Sequence, residues 1–155
     1  SAIGEWFVLS RRRKDGAGLV STWVASGIIG EGIHRAVKVG LANRTWSSRH
    51  ARFVERLADV AWDRRRRQLH STIILGVDGI DSPEVSGLCT GEEMLFFALG
   101  LLRAGSAAGN DGLLSTAREV IAAAHDQLDL KNKKLRGKEV SQLAWLLPRL
   151  SECLR

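Results

Sequence analysis

Two runs of four consecutive basic residues are the features of this 155-residue sequence best suited to do chemistry. The first is Arg11-Arg12-Arg13-Lys14 and the second is Arg64-Arg65-Arg66-Arg67. A guanidinium group stays charged at physiological pH and pairs with a phosphate through two parallel hydrogen bonds. The clusters therefore indicate an anionic partner, and nucleic acid is the partner that we expect first.

Other basic residues extend the two clusters. Three arginines precede the second run at helical spacing, and three lysines lie in a connector near the C-terminal end. The predicted anion-binding residues are Arg11, Arg12, Arg13, Lys14, Arg49, Arg52, Arg56, Arg64, Arg65, Arg66, Arg67, Lys131, Lys133 and Lys134. An exposed tryptophan near them could stack on a base. Because tryptophan is highly buried on average, we expect Trp6, Trp46 and Trp62 in the core instead.

Charge is divided into three blocks along the chain. Residues 1–70 hold fourteen Lys/Arg and six Asp/Glu, residues 71–129 hold two and nine, and residues 130–155 hold seven and two. Such a distribution attracts anionic partners to the two outer blocks and repels them from the middle one. It also allows an alternative: a protein–protein or self-assembly module, such as a viral structural or adaptor domain. In that case the basic blocks of one copy would meet the acidic block of another.

Signatures of catalysis are missing from the sequence. No nucleophile-elbow, Walker or metal-ligand pattern occurs, so we expect neither an enzyme nor a cofactor or metal. The only residues to consider are Asp78 and Asp81 in one loop, and Cys89, whose pKa a following helix could lower. Turn hydrogen bonds and a buried thiol are the commoner roles of such residues. The glycine-rich Gly16–Gly18 segment, between a predicted strand and a predicted helix, is a weak phosphate-loop motif.

Composition is that of an ordinary globular protein. The sequence is 45% hydrophobic and 26% charged, and its length predicts a single domain over residues 1–155. Two distant cysteines favour a reducing, intracellular compartment. No apolar run reaches the length of a membrane span. The apolar segment 19–41 could resemble an interfacial helix, but a packed core helix explains it more simply, so an anionic membrane surface is not an expected partner.

Hydrophobic periodicity predicts a mainly α fold: a compact helical bundle around a buried central helix over about 91–104, with at most two short strands. Thr90 and Glu93 have capping-box spacing before the apolar run 94–102. Further helices are predicted over 47–63, 113–128 and 140–154, the last kinked or restarted at Pro148. Glycines predict a kinked or divided helix within 19–41. Strands are predicted at 6–9 and 72–77, and loops at 78–91 and 104–112.

Overall fold

The fold is organised around helix α3 (Gly91–Ala108) in a computed structural model that describes residues 10–12, 18–20, 23–76, 79–128 and 136–155. The predicted capping box is confirmed: the Glu93 N–H donates to Thr90 Oγ1, and the Thr90 N–H donates to Glu93 Oε2 at 2.8 Å. The helix is buried on every side through its apolar stretch. It ends at Gly109, whose φ of 61° is left-handed. The mainly α class around this central helix is confirmed.

Helix α1 (Trp23–Lys38) crosses α3 at backbone contact. A Cβ at Gly27 would lie 2.3 Å from the Phe96 carbonyl oxygen, and one at Gly100 would lie 3.0 Å from the Ser26 carbonyl oxygen. Because α1 is one continuous element over Trp23–Lys38, the expectation of two short helices is wrong. The glycines that weaken the helix locally are needed where the two backbones meet, and packing compensates for their low helix propensity.

Three further helices pack on α3. Helix α2 spans Arg44–Ala61, α4 spans Asp111–Gln127 and α5 spans Gly137–Leu154. The predicted loop over 104–112 is wrong, because α3 continues to Ala108 and Asn110 already caps α4. Helix α5 runs through Pro148 as one element. Since Ala144 and Pro148 are both exposed, water can satisfy the carbonyl that the proline leaves without a donor.

Strands are more numerous than the two predicted. The described residues contain six: β1 (Ser10–Arg12), β2 (Gly18–Val20), β3 (Trp62–Asp63), β4 (Gln68–Leu69), β5 (Thr72–Gly76) and β6 (Gly79–Ser86). Four form an antiparallel sheet in the order β1-β2-β5-β6, and β3 and β4 form a hairpin. The predicted strand at 72–77 is confirmed as β5, whereas the one at 6–9 lies outside the described residues.

Strand β6 replaces most of the predicted loop over 78–91. Its sequence, GIDSPEVS, has no alternation of apolar and polar residues and contains Pro83. An edge strand tolerates proline because one side of its backbone has no neighbour to bond. β6 is such an edge, paired with β5 alone (Ile74 opposite Glu84), so the pairing and not the local sequence decides its conformation.

Candidate nucleic-acid interface

Helix α2 presents a row of arginines on the side that faces away from the core. Asn43 begins the helix, because its Oδ1 accepts a hydrogen bond from the Thr45 N–H at 3.0 Å. Arg49, Arg52 and Arg56 follow at spacings of three and four residues, and all three are exposed. This spacing places them on one face over about 10 Å. Within the described part of the chain, Arg49 and Arg56 have no carboxylate partner.

The indole of Trp46 is exposed near the start of the same helix. Its exposed fraction is 59%, so the expected core position is wrong. His50 is the first buried residue of α2, so the first turn of the helix extends beyond the core. Trp62 is buried as expected, and its Nε1–H donates to Glu119 Oε2 at 3.3 Å. Trp6 lies outside the described residues.

Positive charge without compensation concentrates where α1 meets α2. The sequence from residue 32 to residue 54 holds five Lys/Arg and no Asp/Glu. Arg35 pairs with Glu31 at 2.7 Å. Lys38, Arg44 and Arg49 are exposed. Within the ranges that the structure describes, none of the three pairs with a carboxylate. An anion approaching this corner therefore meets several free cations at once.

The run Arg64–Arg67 forms the turn of the β3–β4 hairpin and is largely neutralised within the molecule. Arg64 Nε lies 2.7 Å from Glu119 Oε2, and Arg67 Nη1 lies 2.9 Å from Asp126 Oδ2, so both reach helix α4. Arg66 approaches Asp63 at 3.8 Å. Arg65 is exposed and, among the described residues, has no such partner. The hydrogen bond from Arg64 holds the pKa of Glu119 below its ordinary value.

The structure describes no side chain among the other predicted contacts. Arg11 and Arg12 belong to strand β1, where they pair with Leu19 and Gly18. Arg13, Lys14, Lys131, Lys133 and Lys134 lie outside the described residues. The glycine-rich segment does not open a helix, because Gly18 already belongs to β2 and α1 begins at Trp23. The described residues therefore lack the turn directly before a helix that a phosphate loop needs, which agrees with the weakness of the motif.

A buried ionic cluster between α1, α3 and α5 was not predicted. Glu31 is the common partner: Arg103 Nε and Arg35 Nε each lie 2.7 Å from one of its oxygens, and Arg149 Nε lies 3.7 Å away. Arg103 also contacts Glu152 at 3.3 Å. The sequence carried one signal for this cluster, namely charged residues that stand alone among uncharged neighbours. Glu31 is the only acid of α1, and Arg103 follows an uninterrupted apolar run.

Burial and neighbouring charges shift the pKa values of two residues at this cluster. Burial raises the pKa of Glu31, but the hydrogen bonds and charges of Arg103 and Arg35 outweigh it and hold the pKa below its ordinary value. Burial and the nearby Arg103 lower the pKa of His34. The cluster is thus an ion-pair network that links three helices, in which Glu31 and Arg103 satisfy each other while the buried Arg149 Nε makes no hydrogen bond.

Beside the cluster lies a small cavity of about 60 Å³ lined by His34, His50, Ser47 and Arg103. His50 Nε2 lies 3.1 Å from the Ser26 carbonyl oxygen, and it donates there in the tautomer that makes this hydrogen bond. Burial lowers the pKa of His50, which favours the neutral ring. A space of this size admits a few water molecules and no organic substrate.

Of the residues considered for catalysis, the structure describes only the side chain of Cys89. Cys89 is buried, its thiol points to the His70 carbonyl oxygen at 3.7 Å, and burial together with Glu93 raises its pKa. A lowered pKa is therefore excluded, and the buried-thiol interpretation holds. Asp78 lies outside the described residues, and of Asp81 only the backbone, in β6, is described. In the described ranges, no group of three or more His, Cys, Asp or Glu could hold a metal ion.

Comparison with known protein families, with curated proteins and with solved structures finds no match to this chain. None of the helices in the part of the chain that the structure describes is long and apolar enough to cross a membrane.

Proposed function

We propose that this protein is a non-catalytic domain that binds nucleic acid through the α2 face, defined by Arg49, Arg52, Arg56 and the exposed Trp46. The observation that carries the proposal is the exposed charge of two members of this face, Arg49 and Arg56. Arg49 and Arg56 are exposed and unpaired with described carboxylates, and the sequence from 32 to 54, which includes Arg49 but not Arg56, contains no acid. Arginines at helical spacing on one exposed face can contact successive phosphates.

Trp46 favours a strand with unpaired bases. Its indole is more than half exposed and lies at the N-terminal end of the row of arginines. An unpaired base can stack on an indole regardless of its identity, whereas a paired base offers only its edge. The proposed partner is therefore single-stranded RNA or DNA, held by phosphate contacts and by one stacked base, with little sequence preference.

The test is a titration of labelled single-stranded RNA and DNA at several salt concentrations. Each phosphate contact contributes about 0.7 to the slope of log affinity against log salt. The double variant Arg49→Gln/Arg56→Gln should weaken binding and reduce this slope by roughly 1.4. The matched control is Arg118→Gln, which removes an exposed arginine of α4, in the acidic block. Absence of binding at low salt, or equal losses in the variant and the control, would refute the proposal.

The protein–protein alternative is supported by a separate observation on α5. Val140, Leu147 and Leu154 are 48%, 45% and 50% exposed at a spacing of seven residues, and Leu147 and Leu154 line a groove of about 470 Å³ between α4 and α5. Because the spacing is symmetric about Leu147, two antiparallel α5 helices would present the same three side chains to each other. The occupant that fits this alternative is a second copy of the chain.

Light scattering over a range of protein concentrations tests the alternative. Assembly through α5 predicts a mass that rises with concentration and falls back to the monomer in Leu147→Glu. Leu88→Glu is the control, because Leu88 is similarly exposed (55%) but lies between β6 and α3. A monomer at every concentration would remove this alternative and leave the nucleic-acid proposal untouched.

A further inference from the structure

An apolar tip stands out at the corner between α1 and α2. It consists of Val39, Leu41 and Trp46, which are 67%, 84% and 59% exposed. Leu41 is the most exposed large apolar side chain for which burial is described. An arginine row explains why a tryptophan would lie nearby, but nucleic acid offers no apolar phase for the aliphatic Val39 and Leu41. Val39 and Leu41 therefore indicate a partner other than nucleic acid.

The backbone N–H groups of the tip are already bonded within the molecule. The N–H groups of Val39, Gly40, Leu41 and Ala42 donate to carbonyl oxygens of the last turns of α1 at 2.8–3.2 Å. Gly40 has a φ of 77°, and the bonds from Gly40 to Val37 and from Leu41 to Ala36 form a Schellman motif. A turn with its donors satisfied can enter a medium of low polarity without a desolvation penalty on those groups.

Cations flank the residues of the apolar tip in the sequence. Lys38 precedes it, Arg44 follows Leu41 by three residues, and Arg49 lies one helical turn beyond Trp46. All three are exposed, and none is paired with a carboxylate in the part of the chain that the structure describes. A second copy of the chain would bring the same cations to the contact, and like charges would repel. A surface that is negative outside and apolar beneath satisfies both features.

We propose that the tip formed by Val39, Leu41 and Trp46 inserts into the headgroup region of an anionic lipid bilayer while Lys38, Arg44 and Arg49 contact the headgroups. Tryptophan is suited to this depth because its ring is apolar and its N–H can reach water. The protein binds the surface of the bilayer through the corner between α1 and α2. The proposal goes beyond nucleic-acid binding: it shares Trp46 and Arg49 with the α2 face, and Val39 and Leu41 are the side chains that distinguish it.

Sedimentation of the full chain with lipid vesicles tests the proposal. Vesicles of phosphatidylcholine with phosphatidylserine should retain the protein, and vesicles of phosphatidylcholine alone should not. Each cation at the surface contributes about 1 kcal/mol, so Lys38→Gln and Arg44→Gln should each lower partitioning about fivefold. Val39→Ser/Leu41→Ser should lower it about tenfold or more, since burial of one leucine is worth at least that factor.

The matched control is Leu88→Ser, which removes a leucine 55% exposed elsewhere and should leave vesicle binding unchanged. Because Val39 and Leu41 are outside the core, their variant should keep the melting temperature and the oligonucleotide affinity of the parent, which separates this proposal from the nucleic-acid one. The proposal is overturned if anionic vesicles do not retain the protein, or if they retain the tip variant equally well. It is also overturned if the tip instead drives self-association without lipid.

Discussion

The crossing of α1 over α3 makes two glycine-to-alanine substitutions in one helix differ in sign. At Gly27 the new Cβ would lie 2.3 Å from the Phe96 carbonyl oxygen, about 1 Å closer than ordinary van der Waals contact. That oxygen belongs to the backbone of the central helix, so it cannot rotate away. At Gly32 nothing lies within 4 Å of the new methyl group.

The magnitudes follow from two opposing terms. Overpacking costs about 3 kcal/mol at a site that cannot relax, and replacing glycine by alanine in a helix returns about 1 kcal/mol. We expect Gly27→Ala to lower the free energy of unfolding by about 2 kcal/mol. We expect Gly32→Ala to raise it by about 0.5–1 kcal/mol, because only the propensity term acts there.

Urea and thermal denaturation followed by far-UV circular dichroism measure both variants. A loss of about 2 kcal/mol lowers the melting temperature by roughly 4–8 °C in a domain of this size. The reasoning is refuted if Gly27→Ala is as stable as the parent or more stable, because α1 and α3 would then not meet at backbone distance. Destabilisation by Gly32→Ala would instead show that the outer face of α1 is covered.

Three further predictions concern the buried groups. Arg103→Met should cost about 3 kcal/mol in urea denaturation by leaving Glu31 buried without its closest partner on α3, and the cost should shrink in a Glu31→Gln background. Because the pKa of His50 is lowered on folding, its stability contribution is complete above about pH 6.5 and is lost as the pH falls below that value; an unchanged pH dependence in His50→Gln would contradict this. Cys89 should resist thiol reagents until the protein unfolds and should react more slowly than the half-buried Cys153, as measured by alkylation with mass spectrometry.

Local sequence was sufficient where the signal lies within one element. Helix α3 follows from its capping box and uninterrupted apolar run, and α2 and α4 follow from their periodicity, because contacts along a helix are between residues three and four apart. The same periodicity predicts that α2 ends before Arg64, because a longer helix would turn Arg64 and Arg65 toward the core.

Contacts between distant residues decided the rest. Strand β6 exists because β5 lies beside it, and α1 stays continuous because α3 accepts its glycines. Arginine counts could not show that Arg64 and Arg67 would meet Glu119 and Asp126, more than fifty residues away, while Arg49 and Arg56 remain free. Charge is a property of residue type, whereas its neutralisation depends on which residues the fold brings within a few ångströms.

Exposure shows the same division. The sequence alone determined that this chain is basic at both ends, acidic in the middle and helical around a buried centre, since composition and periodicity are local properties. Only the tertiary structure decided that Trp46 and Leu41 face outward while Glu31 and Arg103 face inward. The physical reason is that burial depends on where the core ends and on the partners available within it, and neither is encoded in the type of a single residue.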